Sequence, residues 1–427
     1  MNPAISIEQR RLKYAATIND ESLPEATEPD YELQYIDIGN VDSYGTVHDV
    51  VAFKFEEAPS RARRITRHGD VIVSTVRTYL QAIAPIENPP ENLIVSTGFA
   101  VVRPKGSLFD ARFCKYAVRE KHFLWEVESR STGVSYPAIN ASDLADIRIN
   151  LPDIETQRLI ADYLNRETAR IDALVAEKEK MLALLEEKRA ALISRAVARG
   201  LDENAPLKPS GLDWLGDIPA HWELWRLKHL AEVRGGLTLG KKYLRNDLIE
   251  MPYLRVANVQ DGYLKLDDVQ TVEVSPEEAR CYLLQRDDVL MNEGGDIDKL
   301  GRGCVWRDEI KSCLHQNHVF SVRPRRADAE WLALWTSTLH AKRYFEQRAK
   351  RSTNLASISS TNIKELPVPM PPMDEQLNIK RYVESTVKKI VAIYSEMQQS
   401  IELLKERRAA LITAAVTGQV PLGEMRS

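Results

Sequence analysis

The spacing of apolar residues along this chain follows two rhythms, each used twice. From 1 to 152, short apolar runs alternate with turn residues. Tyr35-Ile36-Asp37-Ile38-Gly39-Asn40, Asp70-Val71-Ile72-Val73-Ser74 and Phe99-Ala100-Val101-Val102-Arg103-Pro104 predict strands, and Ala111 to Val127 predicts a helix. From 153 to 200 the period lengthens. Pro152 and Asp153 give a helix start with an acidic first turn. Ile160, Leu164, Ile171, Leu174, Met181, Leu185 and Leu192 then follow heptad steps, with Glu167, Lys178 and Lys188 between them, and Gly200 supplies the stop. A linker over 201–217 is rich in Pro, Gly and Asp. The mixed pattern returns over 218–370. The helical one returns over 371–418 on Ile379, Val383, Ile390, Ile393, Met397, Leu404 and Leu411, followed by a tail over 419–427.

The two halves also share letters. Arg189-Ala190-Ala191-Leu192-Ile193 returns as Arg408-Ala409-Ala410-Leu411-Ile412. Arg11-Leu12-Lys13 recurs as Arg226-Leu227-Lys228, Gly69-Asp70-Val71-Ile72 as Asp287-Asp288-Val289-Leu290, and Val102-Arg103-Pro104 as Val322-Arg323-Pro324. Ser131-Thr132-Gly133 aligns with Ser352-Thr353-Asn354. A unit this long is a duplicated domain plus helix, since stacked arrays repeat every 20–50 residues or so. Helices of about 45 residues would each run roughly 65 Å, and each has one apolar stripe to bury. Antiparallel pairing buries both. The expected fold is therefore α+β: two mixed α/β domains separated by two long antiparallel helices in a coiled coil, with an internal pseudo-two-fold repeat. It is a common scaffold carrying two different readers.

Composition narrows the class. At 427 residues, with 44% hydrophobic and 28% charged residues, the chain has the balance of a soluble globular protein of two or three domains. No apolar run approaches the roughly 18 residues of a membrane span, and Met1-Asn2-Pro3-Ala4 does not open a signal peptide. Cys114, Cys281, Cys304 and Cys313 lack metal-type pairing and read as buried free thiols in a reducing compartment. The net charge of −4 weighs mildly against a general nucleic-acid binder, although acidic helices can mask a local basic groove.

With these features the chain resembles the specificity subunits of type I restriction-modification systems, over nearly its whole length. The segment Ser210-Gly211-Leu212-Asp213-Trp214-Leu215-Gly216-Asp217-Ile218-Pro219-Ala220-His221-Trp222 is similar to that family's opening of a recognition domain. The helix starts Leu151-Pro152-Asp153-Ile154-Glu155-Thr156-Gln157 and Pro372-Met373-Asp374-Glu375-Gln376, and the Arg-Ala-Ala-Leu-Ile ends, complete the pattern in duplicate. The first half departs from it: it lacks the Trp-bearing opening and begins near Arg11-Leu12-Lys13, as a shortened or mis-started N-terminus would. The resemblance implies two target recognition domains, each reading half of a bipartite site in double-stranded DNA. It implies a subunit that is not itself an enzyme and binds no cofactor. Its implied partners are two methyltransferase subunits using S-adenosylmethionine, and restriction/translocase subunits using ATP and Mg, in the cytoplasm and not at a membrane. The rival reading is a protein-interaction scaffold with a helical hairpin and two adaptor domains.

Chemistry of the chain's own is not evident. Gly235-Gly236-Leu237-Thr238-Leu239-Gly240-Lys241 has phosphate-loop spacing, but Lys242 stands where a Ser or Thr would hold magnesium, so it reads as a glycine-rich turn. Asn88-Pro89-Pro90-Glu91 starts like an adenine methyltransferase tetrad and ends without the aromatic ring that would stack on a flipped base. His315-Gln316-Asn317-His318 lacks a third metal ligand and precedes a strand-like run.

Candidate DNA-reading residues are chosen by type. Arg and Lys meet phosphates and guanine edges, while Asn, Ser and Thr read edges at short range. In the first domain Arg61, Arg63, Arg64 and Arg67 precede a strand, Arg77 and Tyr79 follow it, and Arg130, Ser131, Thr132 and Tyr136 form a polar loop. The second domain offers Lys241, Lys242, Asn292, Glu293, Lys299 and Arg302. It also offers Arg348, Lys350, Arg351, Ser352, Thr353 and Asn354 in one loop.

Overall fold

A computed structural model describes residues 7–240, 247–295, 297, 300–351 and 355–426. The chain divides into two compact units, 1–179 with 398–427, and 180–397. Each unit holds one mixed α/β domain, the first half of one long helix and the last half of the other.

Among the described residues, the first unit contains a four-stranded sheet in the order Ala16–Ile18, Phe99–Pro104, Val71–Ser74, Ile83–Pro85, antiparallel throughout. The second unit repeats it in the order Ala231–Arg234, Val319–Pro324, Val289–Asn292, Gly303–Val305. Val71 pairs with Val102 in one and Val289 with Val322 in the other, so the registers coincide. These strands are apolar on both faces because each sheet has a core on either side. A second sheet lies beside each. In the first unit it runs Val51–Lys54, Glu32–Ile36, Leu93–Ser96, Ala62–Ile65, and in the second Gln270–Val274, Ile249–Leu254, Leu314–His315. In both, one pair is parallel.

The recurring letters of the sequence mark equivalent positions. Leu12 and Leu227 are fully buried, and their backbone N–H groups donate to Ile147 and Leu366. The flanking cations close on one carboxylate in each case. Lys13 lies 2.6 Å from Asp146, Lys228 lies 2.6 Å from Glu365, and Arg226 also pairs with Glu365.

The long helices span Ile154–Arg199 and Met373–Val416. Each start is fastened by its glutamine. The Gln157 amide nitrogen donates to Leu108 O (2.9 Å) and Pro152 O (2.7 Å), while its oxygen accepts from Asp110 N (2.9 Å). Gln376, also buried, donates to Pro371 O at 2.8 Å. Within the first unit, Ile160, Ala161 and Leu164 share a core with Ile412, Ala415 and Val416. Within the second, Ala196, Val197 and Ala198 share one with Ile379 and Val383. The beginning of one helix meets the end of the other in both units, so the pairing is antiparallel.

The heptad seam predicted along the helices is only partly buried. Leu174 and Met181 are 41% and 43% exposed, and Ile393 is 43% exposed. The ends of the helices are covered by the domains as well as by each other, whereas a two-helix ribbon buries a narrower stripe. The cysteine expectation also needs correction: Cys114, Cys304 and Cys313 are buried, but Cys281 is exposed on the short helix Pro276–Tyr282. Among the described residues no helix is long and apolar enough to cross a membrane.

Candidate nucleic-acid interface

In the first unit, the segment after strand Val71–Ser74 meets the loop after helix Lys121–Arg130. Ala138 bridges both Val76 and Thr132 in a short antiparallel ribbon. Ile139 N donates to Thr75 O at 2.9 Å, and Arg77 N donates to Pro137 O at 2.7 Å. The Thr78 and Ser131 hydroxyls are 2.8 Å apart, and the Arg77 guanidinium lies 4.8 Å from the Tyr136 ring centroid. Arg77 has φ 53°, a conformation that non-glycine residues seldom adopt. Held so, it stands with Tyr79, Val134 and Tyr136 on an exposed surface. A cation stacked on an aromatic ring, next to hydroxyls, suits both phosphate and base contact.

The second unit builds the same ribbon from different letters. Gly294–Gly295 pairs with Ala356–Ser357, which pairs with Lys350–Arg351. Ile358 N donates to Glu293 O at 2.8 Å, as Ile139 N does to Thr75 O. Strand pairing thus makes Thr132 the counterpart of Lys350, since they face Ala138 and Ser357 respectively. Ser352 and Thr353, which the sequence aligns with Ser131-Thr132, lie outside the described residues. The helices before the ribbons both end on arginine, Arg130 and Arg348, and the latter guanidinium sits 4.0 Å from the Tyr344 ring centroid.

The other candidates divide by their partners. Arg61 pairs with Asp37 at 2.7 Å, Arg67 forks onto Glu21, and Arg130 pairs with Glu126 one helical turn earlier. Arg63 lies 4.6 Å from the Phe55 ring centroid, and Arg64 belongs to the strand Ala62–Ile65, half-buried. None of these is brought to the ribbon except Arg130. Asn292 is 1% exposed and its amide donates to Val259 O at 3.0 Å, which makes it part of the frame rather than of a reading surface. Arg302 is half-buried beside it, its carbonyl accepting from Asn292 N at 2.9 Å. Lys241, Lys242, Lys299, Ser352, Thr353 and Asn354 lie outside the described residues.

One pair is hard to see in the sequence. The His318 ring nitrogen Nδ1 is 2.6 Å from Glu293 Oε2, and both border a 540 Å³ pocket with Gly294, Gly295, Lys350, Arg351, Leu355 and Ala356. Its sequence signal is masked because His318 lies close to His315, which invites a metal reading. The two histidines part in space. His315 is buried, faces Val319 O at 2.7 Å, and has its basicity lowered by burial. Among the described residues no group of three potential metal ligands assembles. Gly236 packs so closely under His315 that a Cβ there would sit 2.1 Å from the His315 carbonyl oxygen, which accounts for that glycine by packing. Asn88 takes φ 46° in the loop between Ile83–Pro85 and Leu93–Ser96.

Comparison with known proteins gives a consistent match. The family model for the type I restriction modification DNA specificity domain matches residues 46–182 and 219–410. The type I restriction enzyme EcoKI specificity subunit of Escherichia coli (strain K12) is 24% identical over 330 residues, covering 75% of this chain and 68% of that protein. The EcoBI specificity subunit of Escherichia coli is 22% identical over 410 residues, covering 89% and 85%. A chain solved for the assembly and conformational transition of the type I R-M system shares the fold, with a TM-score of 0.70 and 22% identity over 97% of this chain and 98% of that one.

Proposed function

We propose, because this chain belongs to the type I restriction-modification DNA specificity family, that each recognition domain reads one half of a bipartite DNA sequence. The chain is a DNA-specificity subunit, a non-catalytic component of a type I restriction-modification complex. Its partners are DNA and the other components of that complex. The scaffold reading without a DNA role is not favoured.

The observation that supports two readers is the duplicated ribbon. Equivalent strands, Val71–Ser74 and Val289–Asn292, each lead into a ribbon of the same pairing and different side chains. The first presents Arg77, Tyr79, Ser131, Thr132 and Tyr136. The second presents Lys350 and Arg351, with Glu293 and His318 beside them. A carboxylate accepts from cytosine N4, and basic groups meet phosphates or guanine. The long helices act as the spacer between half-sites and as the surface that recruits two methyltransferase subunits. Their exposed apolar residues, Leu174 and Leu403 in the first unit and Met181, Val391 and Ile393 in the second, support recruitment. In this reading the chain holds no cofactor. S-adenosylmethionine serves the methyltransferase subunits, ATP and Mg serve the restriction subunits, and the assembly works in the cytoplasm.

The test is the adenine methylation pattern of cells carrying the chain with its methyltransferase partner, compared with cells lacking the chain. A split motif that depends on the chain is expected. Glu293→Gln should change the permitted bases in one half and leave the other half and the spacing intact. Inserting about four residues, one helical turn, into the long helices should lengthen the spacer alone. A motif indifferent to the chain would end the proposal.

A further inference from the structure

The two units carry equivalent pockets with different charge balance, carboxylate-rich in the second and cation-rich in the first, each beside the arginine of a repeated Arg-Ala-Ala-Leu-Ile motif. In the second unit the pocket is about 560 Å³, bordered by Arg189, Ala333, Leu334, Ser337 and Val387. Most of its charges are matched locally: Arg307 pairs with Glu330 and Asp287, Arg189 with Glu186 and Asp261 with Lys342, while Glu384 adds a further carboxylate to the lining. In the first unit it is about 270 Å³, bordered by Lys115, Tyr116, Arg119, Thr168, Asp172 and Arg408.

The correspondence is fixed by caps. Asp110 and Asp328 cap the helices Ala111–Ala117 and Ala329–Ser337, and Glu120 and Thr338 cap the next helices. Counted from these caps, Lys115 falls opposite Ala333 and Arg119 opposite Ser337. Counted from Gln157 and Gln376, Thr168 falls opposite Val387. The fold thus accommodates small and apolar residues where the first unit places two cations and a hydroxyl.

Those cations are unevenly matched. Arg408 pairs with Asp172 at 2.8 Å, and Lys115 reaches Glu87 at 3.5 Å. Arg119 has no carboxylate within ion-pair range among the described residues. It donates to the carbonyl oxygens of Tyr44 and Ile83, and its Nε is buried without a partner. Burial, with Arg408 nearby, pushes its basicity down to about 10. Asp42 and Asp172 offset this only in part and from beyond ion-pair range. A buried charge so weakly compensated is costly, and nothing in the repeat requires the charge at that position. The cavity has room for several waters, each taking about 30 Å³ in the liquid.

We propose that this pocket is a binding site for a small oxyanion of the phosphate class, held by Arg119 and Lys115, with Arg408 behind them. The assignment is independent of which bases the chain reads. The anion is either free phosphate or the phosphate of a nucleotide.

The test uses the full chain. Thermal unfolding is followed while inorganic phosphate replaces chloride at constant ionic strength, then with a nucleoside triphosphate. Arg119→Ser, the residue found in the other unit, and Lys115→Ala are compared with the parent. We expect a saturable rise in Tm in the parent, reduced in K115A and abolished in R119S. A nucleoside triphosphate acting at tenfold lower concentration than phosphate would assign the site to a nucleotide, and equal potency would assign it to free phosphate. General stabilisation by phosphate as a salt raises all three proteins alike. That outcome, or no rise in the parent, overturns the proposal.

Discussion

Arg103 forks onto Asp70: its Nε donates to one carboxylate oxygen at 2.9 Å and a terminal nitrogen donates to the other at 2.8 Å. Asp70 is fully buried, and Arg323 repeats the fork on buried Asp288 at 2.7 and 2.8 Å. The carboxylates also accept from backbone N–H groups, of Arg67 at 2.7 Å and Gln285 at 2.9 Å. Hydrogen bonding to the carboxylate raises the basicity of both arginines. Removing one partner strands a buried charge, at about 3–5 kcal/mol. Asp288→Ala should lower unfolding free energy by that amount in urea titrations, and Asp70→Ala by less, because Arg103 keeps Asp20 at 2.9 Å and Glu21 at 3.3 Å. A loss under about 1 kcal/mol, the scale of a surface pair, would mean the fork does not hold the frame.

The glutamines at the helix starts should differ in weight. Gln157→Ala leaves two carbonyls and one N–H without their buried partner, and Gln376→Ala leaves one carbonyl. At roughly 1–3 kcal/mol per stranded group, the first substitution should cost more than the second. Denaturant midpoints for the two variants provide the comparison, and an equal or reversed order would contradict it.

Glu232 supplies an acid-sensitive contact. Hydrogen bonds from Arg234 and Arg325 hold its carboxyl at about 2, below the ordinary 4.5. A carboxyl more acidic when folded contributes stability above its unfolded value and loses it as pH falls toward its folded one. Glu232→Gln should therefore flatten the pH dependence of stability between about 4.5 and 2. Stability curves that stay parallel through that range would remove Glu232 from the account.

Lys350 and Arg351 are exposed on the second ribbon. Changing both to Ala should weaken DNA binding across sequences and reduce the salt slope by about one for each phosphate no longer neutralised. Fluorescence anisotropy at several salt concentrations measures both quantities. An unchanged slope would place the phosphate-binding cations elsewhere.

What is legible in the sequence is what the fold holds rigid. Asp70 and Asp288, Arg103 and Arg323, Leu12 and Leu227, and the two helix-start glutamines are fixed by burial and bonding, so their letters recur. The two ribbons are less legible because backbone pairing defines them. Thr132 matches Lys350 in strand pairing although no letter is shared. Asn292 attracts notice for its amide, and its letter carries no sign that this amide turns inward to Val259. The half-exposed Leu174 and Met181 are equally hidden, since periodicity reports a stripe and not how much of it a partner covers.

Each ribbon is pinned at its root by a main-chain bond, Ile139 N to Thr75 O or Ile358 N to Glu293 O. Main-chain bonds are indifferent to side-chain identity, so tip residues such as Val134 and Tyr136 can drift by mutation with little effect on folding. In the proposed reading such a molecule acquires a new target by small local changes, and two ribbons rooted in separate units can evolve separately. Inheritance then acts on each half as on an exchangeable cartridge, and a population facing varied foreign DNA can draw new combinations from old parts.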